Sequence, residues 1–169
     1  MIGRIARWAA LAALLSIIVA GCVTTAPPQE EKTMDHVEAK AQLVALLETA
    51  QDAIGGEWER SDAGAHTCTL AAGGDGAAYG LNRLGPGVAA DAQQAIVDEV
   101  VAAWLAHDVD AVASTLPEVE GVIVTQVRYP ATDVDSDGFF VQLWVSERAS
   151  TVGGQTRCAT GDAAEINTP

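Results

Sequence analysis

Two stretches decide the fold: residues 139–146 (FFVQLWVS) and residues 119–129 (VEGVIVTQVRY). The first is rich in aromatic and β-branched residues, which favour strands. The second alternates from residue 122, with Val122, Val124 and Gln126 on one side and Ile123, Thr125 and Val127 on the other. Residues 130–138 between them are rich in Asp and also hold Pro, Ser and Gly, which are typical of turns. The two stretches therefore predict an antiparallel hairpin.

A second hairpin is predicted earlier in the chain. Residues 65–71 (AHTCTLA) and 77–84 (AAYGLNRL) flank the Gly-rich segment 73–76 (GGDG), which indicates a turn between two strands. Trp58 lies shortly before them and is expected to begin the first strand region.

The first helix is predicted to begin near Asp35 and to end at Gly55, with Glu38 completing a capping box. Helical spacing predicts its apolar face to be Val37, Ala41, Val44, Leu47 (or Leu46) and Ile54.

The second helix is predicted from Ala89 or Asp91 to His107. Its broad apolar stripe implies substantial burial and comprises Ile96, Val97, Val100, Val101, Trp104 and Leu105.

The predicted element order is α-β-β-α-β-β. Two hairpins with two amphipathic helices favour an α+β fold, a two-layer sandwich with one antiparallel sheet and both helices on one face. Trp58, Trp104 and Trp144 are expected to anchor the core between the layers rather than to line a ligand pocket. The chain from residue 147 onward is Gly-rich and polar, and no strand is predicted there.

Charge excludes one class of function. The formal net charge is −14, and all 23 acidic residues follow Cys22. Such a surface repels nucleic acid and anionic lipid headgroups. Direct nucleic-acid binding is therefore not expected.

The N-terminus carries a targeting pattern. Arg4 and Arg7 precede the apolar run 8–20, which is too short for a membrane-spanning helix of roughly 20 residues. Residues 19–22 (VAGC) close that run and resemble the lipobox of a bacterial lipoprotein. The resemblance implies cleavage before Cys22, a diacylglyceryl group on its sulfur, a further acyl chain (palmitate among them), and anchoring on the extracytoplasmic face of the cell membrane.

The same resemblance divides the chain. Residues 1–21 are the expected signal peptide, 22–33 the lipidated cysteine with an extended Pro-containing tether, and 34–169 a single α+β domain. With Cys22 consumed by lipid, Cys68 and Cys158 remain as a pair in an oxidising compartment. We expect a disulfide that closes a segment of about 90 residues and contributes roughly 4–5 kcal/mol. Two free thiols or an intermolecular bridge are the alternatives.

The chain also resembles small exported lipoproteins of actinobacteria, which are largely of unknown activity. The shared features are the lipobox, the Pro-rich tether, Trp104 in the second helix, and the late Gly154-x-x-x-Cys158 spacing. The resemblance implies a fold and a location rather than an activity.

One segment suggests a cofactor. Asp133, Asp135 and Asp137 alternate before Gly138, as in the first half of a calcium loop. The second half is absent, since position 12 is Trp144 and the flanks are predicted strands. The segment predicts a hairpin turn, with a weak calcium site as the alternative. His36, His66 and His107 lack metal-ligand spacing, so zinc is not expected.

The sequence contains no nucleophile elbow, P-loop or dinucleotide fingerprint. We therefore expect a non-enzymatic, lipid-anchored envelope protein that presents one face of its sheet, or a groove beside it, to an envelope protein or a small ligand. An envelope hydrolase is the alternative, using paired carboxylates such as Asp108 with Asp110 or Glu118 with Glu120. Neither the binding protein nor the hydrolase is expected to require a cofactor.

Overall fold

The structure is a computed structural model that describes residues 34–167. Its helices and strands in chain order are α1 (His36–Ile54), β1 (Glu59–Arg60), β2 (Gly64–Thr69), β3 (Asp75–Pro86), α2 (Ala90–Leu105), β4 (Val112–Thr115), β5 (Thr125–Tyr129), β6 (Phe140–Val145), β7 (Ala149–Gln155) and α3 (Ala163–Ile166).

All the strands join one antiparallel sheet in the order β1-β3-β7-β6-β5-β4, and β2 also pairs with β3. Helix α1 contacts β3, β6 and β7, helix α2 contacts β4 and β5, and the two helices contact each other. Their buried residues share one core with the inward side chains of the sheet. The α+β class and the two-layer sandwich predicted from the sequence are confirmed.

Helix α1 has the predicted ends, and its predicted buried face is confirmed in part. Asp35 caps it by accepting a hydrogen bond of 2.8 Å from the Val37 amide, and Gly55 ends it with φ 73°. Val37 and Ala41, expected in the core, are exposed. The buried residues are Ala39, Leu43, Leu46, Leu47 and Ala50. Leu46 and Leu47 therefore confirm the prediction, and Val44 and Ile54 pack against the core. Leu43, not Val37 or Ala41, completes the buried face, because leucines at i, i+3 and i+4 lie together on one side of a helix.

Helix α2 confirms the predicted stripe except at its end. Val97, Val100 and Trp104 are buried, whereas Leu105 is exposed. The indole N–H of Trp104 donates to the Leu46 carbonyl at 2.9 Å and to the Thr49 hydroxyl at 3.1 Å. Trp104 therefore joins the two helices across the core.

The strand predicted over 119–129 is shorter than expected. Val119 and Val122 exchange backbone hydrogen bonds of 2.9 and 3.1 Å around a tight turn, in which Glu120 and Gly121 have positive φ. Strand β5 begins only at Thr125. Alternation alone missed the turn because Val122 and Ile123 are strand-forming residues that lie next to Gly121, where a turn is favoured.

Strand β7 lies between β3 and β6 and was not predicted. Its sequence, ASTVGGQ, has low strand propensity because of Gly153 and Gly154. A Cβ on Gly154 would collide with the Phe140 carbonyl oxygen and approach Leu43 Cδ1 to 3.1 Å. The missing side chain therefore lets α1 approach the sheet closely. The strand region expected at Trp58 corresponds to the short β1, which begins at Glu59, whereas strand β4 and helix α3 are not predicted.

Cys68 and Cys158 form a disulfide, as expected, with their Cα atoms 5.9 Å apart. The bond ties strand β2 to the segment after β7. The signal peptide, Cys22 and the tether lie outside the described residues. Within 34–167, no helix is both long enough and apolar enough to cross a membrane.

Candidate functional site

Helices α1 and α2 cover one face of the sheet, and the opposite face is the candidate site. Directly paired residues of antiparallel strands point to the same side. The registers therefore assign one set of side chains to this side, which we call the open face: Ala78, Gly80, Asn82 and Leu84 of β3; Val112 and Ser114 of β4; Gln126 and Arg128 of β5; Phe140, Gln142 and Trp144 of β6; and Ala149, Thr151, Gly153 and Gln155 of β7.

Trp144 occupies the middle of the open face. Its neighbours along the strand, Leu143 and Val145, are fully buried, whereas 40% of Trp144 is exposed. It lies opposite Thr151 on one side and Gln126 on the other. The expectation that Trp144 anchors the core is wrong, because residues 143 and 145 take the inward positions and strand alternation turns Trp144 outward.

The hydrogen bonding of the three described tryptophans separates their roles. Trp104 bonds Leu46 and Thr49, and Trp58 donates to the Gly55 carbonyl at 3.0 Å. The Trp144 N–H has no partner among residues 34–167. A large ring that is neither buried nor bonded has no evident structural role. The sequence holds a signal for this, since Gln142 lies two residues before Trp144 and so shares its side of the strand.

A shallow hollow of ≈ 220 Å³ lies on the open face, next to the row of Trp144. Gly80 and Gly153 are among its lining residues, together with Asn82, Gln142 and Phe140. A Cβ on Gly153 would come within 2.6 Å of the Asn82 amide oxygen, so glycine keeps the hollow open.

Charge is distributed unevenly around this face. Among the open-face residues of β3 to β7 none is acidic, and Arg128 is the cation among them. Glu59 of β1 is the direct partner of Leu84 and so lies on the same side at the edge of this face, and Asp62, which is bonded to Arg83, lies near that edge. Arg128 bonds the Gln142 amide oxygen at 3.0 Å and the Asp133 carbonyl, which fixes its guanidinium beside the Phe140 ring. The open face is therefore close to neutral in a strongly acidic chain.

A second concavity, of ≈ 440 Å³, lies where α2 ends. It is lined by Gln42, Leu46, Ala106, His107, Asp108, Val109, Tyr129, Phe139 and Arg157. Asp108 is the one carboxylate in this lining. Glycoside hydrolysis by paired carboxylates requires two, roughly 5–10 Å apart on either side of the substrate.

The predicted calcium residues have other partners. Asp135 accepts from the Tyr129 hydroxyl at 2.9 Å, and Asp137 accepts from the Phe139 amide at 3.0 Å and faces Arg157 at 3.6 Å. Asp133 is exposed with φ 57°. In the described part of the chain, no three His, Cys, Asp or Glu side chains are grouped so as to hold a metal ion. The contacts favour a hairpin turn, and calcium binding stays a prediction.

Electrostatics reinforce that turn. The Ser136 backbone amide and then the Tyr129 hydroxyl lower the pKa of Asp135 below its ordinary value of 3.8. The same hydrogen bond, with burial, raises the pKa of Tyr129 above 10.0. A general acid needs a raised carboxyl pKa, so Asp135 is shifted in the opposite direction.

The remaining candidates are dispersed. Asp110, Glu118 and Glu120 are exposed. His36 contacts the Thr160 carbonyl at 3.1 Å, His66 is exposed on β2, and His107 lines the second concavity. The structure brings none of these pairs or triplets together in a shared site among its described residues.

No family model and no curated protein matches this chain. Among solved structures, it is similar to the crystal structure of a DUF4853 family protein from Actinomyces odontolyticus ATCC 17982, with a TM-score of 0.42 and 17% sequence identity. The match covers 78% of this chain and 66% of that chain, so this chain spans slightly less than two thirds of its length. Function must therefore be inferred from the residues of this chain.

Proposed function

We propose that this protein is a non-enzymatic binding protein of the cell envelope. Lipid on Cys22 holds it to the extracytoplasmic face of the membrane, and the open face binds an envelope protein or a small ligand. The observation that supports this most is Trp144: a tryptophan exposed in the middle of a sheet face with its N–H unbonded within the described residues.

The physical argument is that exposed apolar surface costs free energy and aromatic rings concentrate it. Leu84 and Val112 are 47% and 52% exposed, and they occupy the two flanks of the face around Trp144. An exposed apolar surface rimmed by polar side chains is typical of a binding site. Tryptophan is also enriched where binding energy concentrates.

Anchoring is tested by Cys22→Ala. Two acyl chains hold a protein stably on a bilayer, and this chain has an acidic surface that cannot substitute for them. We expect the variant to leave the membrane fraction, whereas Cys68→Ala with Cys158→Ala stays in it. Unchanged partitioning of Cys22→Ala would contradict the lipid anchor.

Binding through the open face is tested by photo-crosslinking in cells. A photoreactive residue at Thr151, opposite Trp144, should give a reproducible adduct that Trp144→Ala removes. The same residue at Ala41, exposed on α1, is the matched control and should give none. An equal yield at both positions, or an adduct insensitive to Trp144, would contradict binding through this face.

A further inference from the structure

Three cross-strand rows organise the open face. Leu84, Thr151, Trp144, Gln126 and Ser114 are successive direct partners, and so are Asn82, Gly153, Gln142, Arg128 and Val112. A third row runs from Gly80 through Gln155 to Phe140. With strands about 4.8 Å apart, each of the two longer rows spans about 19 Å. The open face therefore offers an elongated surface with its tryptophan in the middle.

Three polar side chains of the open face share one chemistry. Thr151, Gln126 and Asn82 each carry a side chain that makes no hydrogen bond to the described protein. Amides and hydroxyls both donate and accept, so together they can satisfy a ligand that does the same. A carboxylate or ammonium ligand would instead require a group of opposite charge. Arg128 keeps its charge, but its guanidinium already donates to the Gln142 amide oxygen and to the backbone carbonyls of Pro130 and Asp133.

On these grounds we propose that the ligand of the open face is a neutral polysaccharide. The inference rests on the proposed binding function and names its ligand class. A sugar ring presents an apolar C–H face that fits flat against an indole, and hydroxyls around its rim that pair with amides. The distance from Phe140 to Trp144 along β6 is about 13 Å, which suits several linked sugars better than one.

Charge selects against anionic polymers. The chain has a net charge of −14, and Glu59 and Asp62 border the open face. An anionic polysaccharide would be repelled at that border, whereas a neutral one would meet amides, hydroxyls and the indole. The hollow lined by Asn82 and Gln142 gives a ring or a branching hydroxymethyl group room on the same face as Trp144.

The test uses the purified full-length lipidated protein in detergent micelles. The probes are neutral polysaccharide released from the envelope of the producing organism, dextran, mannan and arabinan, with polygalacturonate as the anionic polymer. Retardation in gels containing each polymer gives the dissociation constant. We expect at least one neutral polysaccharide to bind and polygalacturonate not to bind.

Four variants assign the binding to the open face. Trp144→Ala should weaken it at least about tenfold, and Trp144→Phe should recover part of the loss because a ring remains. Gln126→Ala should weaken binding about threefold, since one amide is removed. Val37→Ala, exposed on α1 and outside the open face, is the matched control and should bind as the wild type does.

The outcomes separate this inference from the proposed function. No retention by any of the neutral polymers, or retention that Trp144→Ala leaves unchanged, would overturn the polysaccharide. If Thr151 crosslinks meanwhile persist and depend on Trp144, the face still binds and its ligand is a protein. If neither assay responds to Trp144, both the inference and the proposed function fail.

Discussion

Two hydrogen bonds to Asp135 stabilise the loop between β5 and β6. The Tyr129 hydroxyl donates to Asp135 at 2.9 Å, and Asp135 also accepts from the Ser136 amide at 2.7 Å. Both bonds favour the ionised carboxylate in the folded state, so the pKa of Asp135 is lowered. The pKa of Tyr129 is raised, because its hydroxyl is the donor and ionisation would remove that proton.

These shifts predict opposite pH windows. Asp135 stabilises the fold fully above its unfolded pKa near 3.8, and this contribution is lost as pH falls through the lower folded value. Tyr129 stabilises the fold below its unfolded pKa of 10.0, and this contribution is lost as pH rises through the higher folded value.

We expect Tyr129→Phe to lower the free energy of unfolding at pH 7 and to flatten its pH dependence in both windows. Urea unfolding between pH 2.5 and 11 measures this, and Val134→Ala, at an exposed position of the same loop, is the control. An unchanged pH profile in Tyr129→Phe would contradict the assignment.

At the residue scale, the sequence shows which side chains are present but not which of them point into the core. Three tryptophans were assigned to the core together, yet Trp104 is fully buried and Trp144 is 40% exposed. Residue type cannot distinguish them. The alternation along a strand can distinguish them. The apolar residues Val141, Leu143 and Val145 share one side of β6, so Gln142 and Trp144 lie on the other side.

At the scale of elements, the predictions succeeded where local signals are strong and failed where packing decides. Asp35 and Gly55 marked the ends of α1 because caps act within one turn. The buried face of α1 is predicted correctly at Leu46 and Leu47 but wrongly at Val37 and Ala41, because Leu43 packs on the sheet and those two residues do not. Strand β7 was missed because its glycines are selected by tertiary contact with α1 rather than by strand propensity.

Strand β7 supplies the element-scale prediction. Gly154→Ala places a methyl group against the Phe140 carbonyl and within 3.1 Å of Leu43, so the β6–β7 pairing or α1 must shift. We expect a loss of about 1–3 kcal/mol in the free energy of unfolding, measured with urea. Gly80→Ala is the control, because its nearest contact is the Ala63 methyl at 3.3 Å and its loss should be smaller. Equal losses would show that Leu43 and Phe140 are not tightly packed on β7.

At the scale of the whole molecule, the disulfide joins parts of the chain that are 90 residues apart. Restricting so long a loop lowers the entropy of the unfolded state. The variant with Cys68→Ala and Cys158→Ala should therefore lose roughly 4–5 kcal/mol of stability on the chain-entropy model. Comparing its urea midpoint with that of the wild type measures this, and reduction of the wild-type monomer should add the mass of two hydrogens. An unchanged midpoint would contradict the role given to the bond.

The cellular location and the binding face are inferred from different parts of the molecule. The N-terminal pattern predicts the anchor from local sequence alone, since a signal peptide and lipobox are read as linear motifs. The open face could not be predicted as a site, because its rows bring together residues from 80 to 155 that only the strand registers align.

The central claim is that the open face is occupied in the cell, and hydroxyl-radical footprinting in living cells tests it most directly. Trp144 is labelled together with Val37 and Leu105, which are 63% and 56% exposed and lie on the helices. The account predicts that labelling of Trp144 falls in cells relative to the purified protein, while Val37 and Leu105 keep the same ratio to each other. Equal labelling of Trp144 in cells and in the purified protein would contradict it.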